Sequence, residues 1–250
     1  MASTETSGSG DVGRTLELLW ETGPRPSRGP KPGLTLDRIV EAAVQLADAE
    51  GLEAVTMRRV STELGTGTMT LYRYLPGKAE LLDLMLDRVQ RPDPGVEAAE
   101  GGWRGALEQV ASQTLANYRR HPWLLYVNQA RPILGPGAVQ SMEVVLSAIK
   151  PMGLADVELI SVVVMIDNYV VGAARAEVFH QEALRTTGMT DADFWQAQQP
   201  VLERAMNSGR FPTMAGLDEE AFGQEFDHFD FGLRRILDGL EDIVAERARS

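Results

Sequence analysis

The chain has 250 residues, 44% of them hydrophobic, enough for one large domain or a small domain fused to a larger one. It contains no cysteine, which excludes disulfides, thiolate nucleophiles and cysteine zinc sites. The net charge of −12 is unevenly spread: residues 1–24 carry one Arg against four acidic residues, residues 25–90 nine Lys or Arg against nine Asp or Glu, and residues 91–250 fourteen against twenty-three. The acidity that argues against a nucleic-acid partner therefore belongs to the C-terminal part.

Residues 1–15 are rich in Ser, Thr and Gly and read as disordered. Leu16-Glu17-Leu18-Leu19-Trp20 is a short apolar island with room for one helical turn. The segment Arg25-Pro26-Ser27-Arg28-Gly29-Pro30-Lys31-Pro32-Gly33 is held out of any helix by its prolines. Residues 1–33 thus form a Pro-rich N-terminal arm. Helical punctuation starts at Thr35, an N-cap before Leu36, Ile39, Val40, Ala43, Leu46 and Ala47, and Gly51 closes this helix. Thr56 caps a second helix, with Met57, Val60 and Leu64 inward. After the turn Gly65-Thr66-Gly67, a short third helix spans Thr68 to Tyr74, stopped by Pro76-Gly77, and a fourth runs from Lys78 to Gln90. Arg91-Pro92-Asp93-Pro94-Gly95 marks a domain boundary, giving units 34–90 and 91–250. Beyond it the 3.6-residue period predicts helices over Trp103–His121, Pro122–Arg131, Gly137–Met152, Asp156–Leu184, Asp191–Asn207 and Asp218–Arg247. No segment shows strand alternation, so the fold class is all-α.

Two short helices joined by a Gly-containing turn make a helix-turn-helix, whose second helix can enter the major groove of DNA. Leu64, Leu71 and Leu75 lock the unit, leaving Thr68, Met69, Thr70, Tyr72, Arg73 and Tyr74 outward. Their hydroxyls, thioether and rings suit phosphates and thymine methyls, and Arg58 and Lys78 flank them to neutralise phosphates. A plain helical hairpin with a polar surface has the same pattern. The arm around Arg28 reads first as a proline-stiffened linker, with a cationic strand for the minor groove as the sharper alternative.

The run Thr56-Met57-Arg58-Arg59-Val60, then Leu64-Gly65, then Met69-Thr70-Leu71-Tyr72-Arg73-Tyr74-Leu75-Pro76-Gly77-Lys78, resembles the N-terminal domain of the TetR family of repressors. Phe229-Asp230-Phe231-Gly232-Leu233-Arg234-Arg235-Ile236-Leu237-Asp238-Gly239-Leu240, with His121-Pro122-Trp123 and Gly135-Pro136-Gly137, is similar to the C-terminal domain of its tetracycline-repressor subgroup. The resemblance implies that Thr68, Met69 and Thr70 contact bases or adjacent phosphates, and that Arg58, Tyr72, Tyr74 and Lys78 grip the backbone. It also implies a homodimer on an inverted-repeat operator in double-stranded DNA, responding to a small-molecule effector. Gly67 departs from the pattern where many members carry a capping Ser, so the cap shifts to Thr66 or Thr68. Tetracycline-binding members use magnesium, but no matching ligand set is found, and no metal or cofactor is expected.

The last helix carries a seam, Phe222, Phe226, Phe229, Leu233, Ile236, Leu240 and Ile243, stepping by four and three. Such a seam packs one helix along another at a shallow angle, across a dimer axis or within one subunit. The helix Asp156–Leu184 is apolar nearly all round between Leu159 and Ala174 and needs covering on most sides. Within it, Asp167, Asn168 and Arg175 are polar groups that need partners, a bound ligand or an intraprotein network. Trp123, Tyr126 and Asn128 join them as candidate ligand-pocket residues.

Three histidines, His121, His180 and His228, are too widely spaced for a short metal motif. The first thirty residues lack the apolar core of a signal peptide, and the stretch Leu159–Ala174 is short and interrupted, so a cytoplasmic protein without a membrane span is expected. Without Cys, a phosphate loop or a nucleophile elbow, an enzyme is not expected. The alternatives to a repressor are an activator using the same helix-turn-helix and a helical partner-binding protein.

Overall fold

The computed structural model describes residues 5–21, 34–92, 101–218, 221 and 226–249. The N-terminal helical unit contains α2 (Leu36–Glu50), where the Thr35 hydroxyl accepts from the Arg38 amide and Gly51 ends the helix at φ +86°. Thr56 caps α3 (Met57–Glu63) in the same way through the Arg59 amide, and α4 (Thr68–Leu71) and α5 (Lys78–Val89) follow. Ile39, Ala43, Val60, Leu71, Leu75, Leu81 and Met85 form its core, fully withdrawn from water. The third helix is shorter than its periodicity suggests. Residues 72–74 form turns rather than helix.

The second core joins α6 (Gly102–Arg120), α7 (Pro136–Ile149), α8 (Asp156–Thr187) and α11 (His228–Arg247). Glu158 caps α8 by accepting from the Ala155 amide at 2.7 Å. The exposed helices α9 (Asp191–Met206) and α10 (Pro212–Ala215) bury no residue. Several boundaries differ from the periodic reading. The segment 122–131 is a 3-10 turn, Pro122–Tyr126, followed by an extended pair, Val127–Asn128. Residues 150–152 leave α7 as a 3-10 turn, where Pro151 has no N–H with which to continue the α-helical ladder. The final helix starts at His228, ten residues later than expected; Phe222 lies outside the described residues.

Two further corrections concern the N-terminus. Residues 5–21 are folded: β1 (Glu5–Thr6) pairs in parallel with β2 (Val127–Asn128), and α1 (Val12–Leu19) packs on α5. The small polar residues that mimic disorder here are needed for close approach. A Cβ on Gly10 would lie 2.3 Å from a Glu80 carboxylate oxygen. The chain therefore contains a strand pair after all, though helices dominate the described residues.

α5 is enclosed along its length, with every residue from Glu80 to Asp87 buried. Three of these are carboxylates, spaced three and four residues apart on one flank, and each accepts from main-chain amides outside the helix. Glu80 takes Asp11 N at 2.9 Å, Asp83 takes Gly8 N at 3.0 Å and the Ser7 hydroxyl at 2.7 Å, and Asp87 takes Gly137 N at 2.8 Å. Burial lifts the Asp83 carboxyl above its ordinary range while the Ser7 and Gly8 bonds pull it back. Asp87 caps α7; its other oxygen has no hydrogen-bond partner and faces Arg91 at 3.6 Å.

Candidate nucleic-acid interface and effector region

The helix-turn-helix presents a compact outward surface because its inward side is fully used. Met69 is 77% and Tyr72 46% exposed, one turn apart on and just after α4. Large apolar groups left in water on a well-packed unit point to a partner surface. Arg58 and Arg73 are exposed beside them, while Thr68 and Thr70 are half-buried. The α4 N-terminus has no side-chain cap at Gly67, and neither Thr66 nor Thr68 supplies one. The Thr68 hydroxyl is instead 3.0 Å from that of Ser61, itself bonded to the Arg58 carbonyl, which ties α4 to α3. Ser61 was not singled out by the sequence; its buried hydroxyl at the turn is the signal that could have found it.

Two expected backbone contacts stand differently. Tyr74 is half-buried and its hydroxyl donates to the Leu34 carbonyl at 2.9 Å, so it braces the start of α2 rather than facing DNA. The next aromatic outward, Tyr72, remains available. Lys78 opens α5 and its ammonium sits 2.8 Å from Glu5 of β1. Arg28 lies outside the described residues.

Of the residues proposed for a ligand pocket, the structure gathers only some. Tyr126 stacks obliquely on Phe179 with centroids 5.7 Å apart and donates to Glu182 at 2.5 Å. Burial first, then that bond, pushes the Tyr126 hydroxyl up to about 12. Asp167 and Arg175 on α8 act electrostatically on Tyr118 of α6, whose hydroxyl burial chiefly pushes up to about 12; Asp167 adds to that rise and Arg175 opposes it. Asp167 counts as exposed by surface area, yet enough protein surrounds its carboxyl for burial to lift it above its usual range. Tyr118 belongs to the partly buried fringe of both cores, and sequence reasoning missed it because its pattern is that of any core tyrosine. Asn168 is exposed. Trp123 is buried and donates to Asp48 of α2 at 2.8 Å, beside the His121 ring nitrogen 2.7 Å from the same oxygen. It is a strut between the halves, not a pocket wall. Asn128 sits in β2, its side chain accepting from Ala130 N, so it shapes a loop. A surface cleft of about 470 Å³ opens elsewhere, between α6 and α11, lined by Arg104, Glu108, Ser112, Asp227 and Asp230. Among the described residues no group of three or more His, Asp or Glu could hold a metal ion.

The expected dimer seam divides in two. Leu233 and Leu240, with Leu237, are buried in the subunit's own second core. Phe229 stacks on Tyr169 at 5.6 Å and Ile236 packs at the edge. Phe226 and Ile243 are exposed. A four-three spacing serves packing on the chain's own α8 as well as packing across an axis, and here the inner part of the seam does the former. On α8, Leu159, Val162, Ile166, Val170 and Ala174 face the core, leaving Val157 73%, Ile160 44% and Val164 52% exposed along the opposite side. At 32 residues this helix is long and apolar enough to cross a membrane, contrary to the sequence expectation. Its buried stripe belongs to the second core.

Residues 39–85 match the family described as bacterial regulatory proteins, tetR family, and residues 94–244 match the tetracyclin repressor-like C-terminal domain. The HTH-type transcriptional repressor DrrR1 of Streptomyces coeruleorubidus is 69% identical over 246 residues, covering 98% of this chain and 91% of that protein. An HTH-type transcriptional regulator of Saccharopolyspora erythraea is 29% identical over 227 residues, 89% of this chain and 90% of the relative. Among solved structures, apo ActR of Streptomyces coelicolor superposes with a TM-score of 0.63 at 27% identity, covering 87% of this chain and all of that one. ActR in complex with actinorhodin superposes at 0.60 and 26%, covering 86% and 99%.

Proposed function

Since this chain belongs to the tetR family of bacterial regulatory proteins, and is therefore a DNA-binding transcription regulator, we propose that it is a homodimeric repressor released from its operator by a small molecule. The observation that carries the reading is the exposed Met69–Tyr72 surface on an otherwise closed helix-turn-helix. In this reading Thr68, Met69 and Thr70 meet base edges, Arg58, Tyr72 and Lys78 meet phosphates, and Arg28 follows the minor groove. Two-fold symmetry then calls for an inverted repeat with half-sites near one helical turn apart, about 34–36 Å or more. The exposed stripe of α8 with the outer face of α11 supplies the dimer contact.

That the 69% identical relative DrrR1 is a transcriptional repressor supports repression rather than activation. That ActR forms complexes with actinorhodin and with (S)-DNPA supports an organic effector. Here it sits against Tyr118, Tyr126 and Phe179, within reach of Asp167 and Arg175. The test is an electrophoretic shift on the intergenic DNA flanking the protein's own coding sequence. Specific retardation, abolished by one of a panel of polycyclic aromatic compounds, is expected. Absence of any shift at low salt favours the partner-binding alternative instead.

A further inference from the structure

Residues 5–20 are fastened to both halves of the molecule. On one side, β1 pairs with β2 and the Ser7 amide donates to the Asn128 carbonyl at 3.0 Å. On the other, Ser7, Gly8 and Asp11 satisfy two of the buried carboxylates of α5. Asp11 caps α1, and Trp20 reaches the Leu134 carbonyl ahead of α7 at 3.1 Å. The far end of this strap sets the Glu5 carboxylate 2.8 Å from the Lys78 ammonium, with both side chains about a third exposed, at 32% and 31%.

We propose that this strap is a built-in competitor of the operator: while β1 is docked, Glu5 withholds Lys78 from DNA, and its release restores one phosphate contact. The proposal rests on the reading of Lys78 as a phosphate contact. A phosphate approaching Lys78 comes within a few ångströms of Glu5, well inside the screening length of about 8–10 Å at ordinary ionic strength, so the two anions compete for one cation. Arg14, the one cation of this segment, is already paired with Glu17 at 2.7 Å. Release is local. Only the two-residue strand pair, the Ser7 amide bond to Asn128 and one partly exposed ion pair must open, while the Ser7 hydroxyl and α1 stay seated on α5. The docking strand, Val127–Asn128, directly follows Tyr126, so the competitor is anchored to the same segment that carries a candidate effector contact.

The full-length protein is titrated with its operator duplex and a scrambled duplex across a salt series, as wild type, Glu5→Gln, Lys78→Ala and the double variant. Glu5→Gln should tighten binding about two- to fivefold, the worth of one exposed charge pair, and steepen the salt slope by roughly one unit, with both effects gone when Lys78 is Ala. Equal tightening in the Lys78→Ala background would mean general charge repulsion and overturn the proposal. No change with Glu5→Gln, while Lys78→Ala weakens binding, overturns the competition but keeps the phosphate contact. No change with Lys78→Ala removes that contact and the competition with it. A second variant closes the strap covalently: Thr6→Cys with Asn128→Cys joins a registered pair in a chain without other cysteines. Its oxidised form should bind DNA less tightly and with a shallower slope than its reduced form. Equal binding by both forms also overturns the proposal.

Discussion

Replacing Val164 by Glu tests where the subunits meet. Val164 is 52% exposed on the outer stripe of α8, so burying what remains of it is worth about 1 kcal/mol, roughly half the value of a fully buried aliphatic side chain. A two-fold axis counts the position twice. Val164→Ala should therefore cost the dimer about 2 kcal/mol, or roughly 30-fold in its dissociation constant. Val164→Glu adds an unpaired carboxylate to a desolvated face on each side, several kcal/mol more, and should leave monomers at micromolar concentration. Subunit folding should be nearly unaffected, because Val164 does not contribute to the buried core. Leu237→Ala provides the contrast. It opens a cavity in the second core and should cost about 2–5 kcal/mol of subunit stability. Sedimentation velocity with thermal melting followed by circular dichroism reads both. A Val164→Glu protein that sediments as a folded dimer refutes the assignment of this stripe to the interface.

Met69→Ala should alter operator preference by about 1–3 kcal/mol at one base pair with little change in salt dependence, while Arg58→Ala should lower the salt slope by roughly one unit on any sequence; salt-titrated binding to operator and scrambled duplexes separates the two. Tyr74→Phe should cost about 1 kcal/mol of stability through the lost bond to Leu34 and leave the operator affinity of the folded protein unchanged; weakened binding by a fully folded variant would return Tyr74 to the DNA surface. Tyr118 and Tyr126 should ionise near 12 in an ultraviolet titration. Because both folded values are raised above the ordinary 10, the stability they contribute is intact below pH 10 and is lost as pH climbs towards 12, and ionisation of all tyrosines near 10 in the folded protein contradicts the burial described.

The helix-turn-helix was legible because its instructions are local. Thr35 and Thr56 cap through amides three residues on, Gly51 and Gly65 take positive φ where helices must stop, and the apolar period repeats within one turn. What escaped depends on distant partners. Ser7, Gly8 and Asp11 meet acceptors about seventy residues away, so their composition alone reads as disorder. Tyr74 and Trp123 carry polar tips whose targets, Leu34 and Asp48, no spacing rule names. The α11 seam was found but its partner was ambiguous, because a helix face has one period whether it packs on its own chain or on another.

The enclosed α5 has a mechanical consequence. A twelve-residue helix is a rod about 18 Å long, pinned near its C-terminal end where Asp87 holds the first amides of α7. Tilting such a rod by only about 5° about that pin, roughly 13.5 Å from Lys78, swings its Lys78 end by roughly 1.2 Å, about two-fifths the length of a hydrogen bond. If Lys78 meets a phosphate as proposed, the C-terminal part needs no large motion to spoil the fit to DNA: a small shift at the start of α7 would then reach that contact as a displaced ammonium, magnified by leverage.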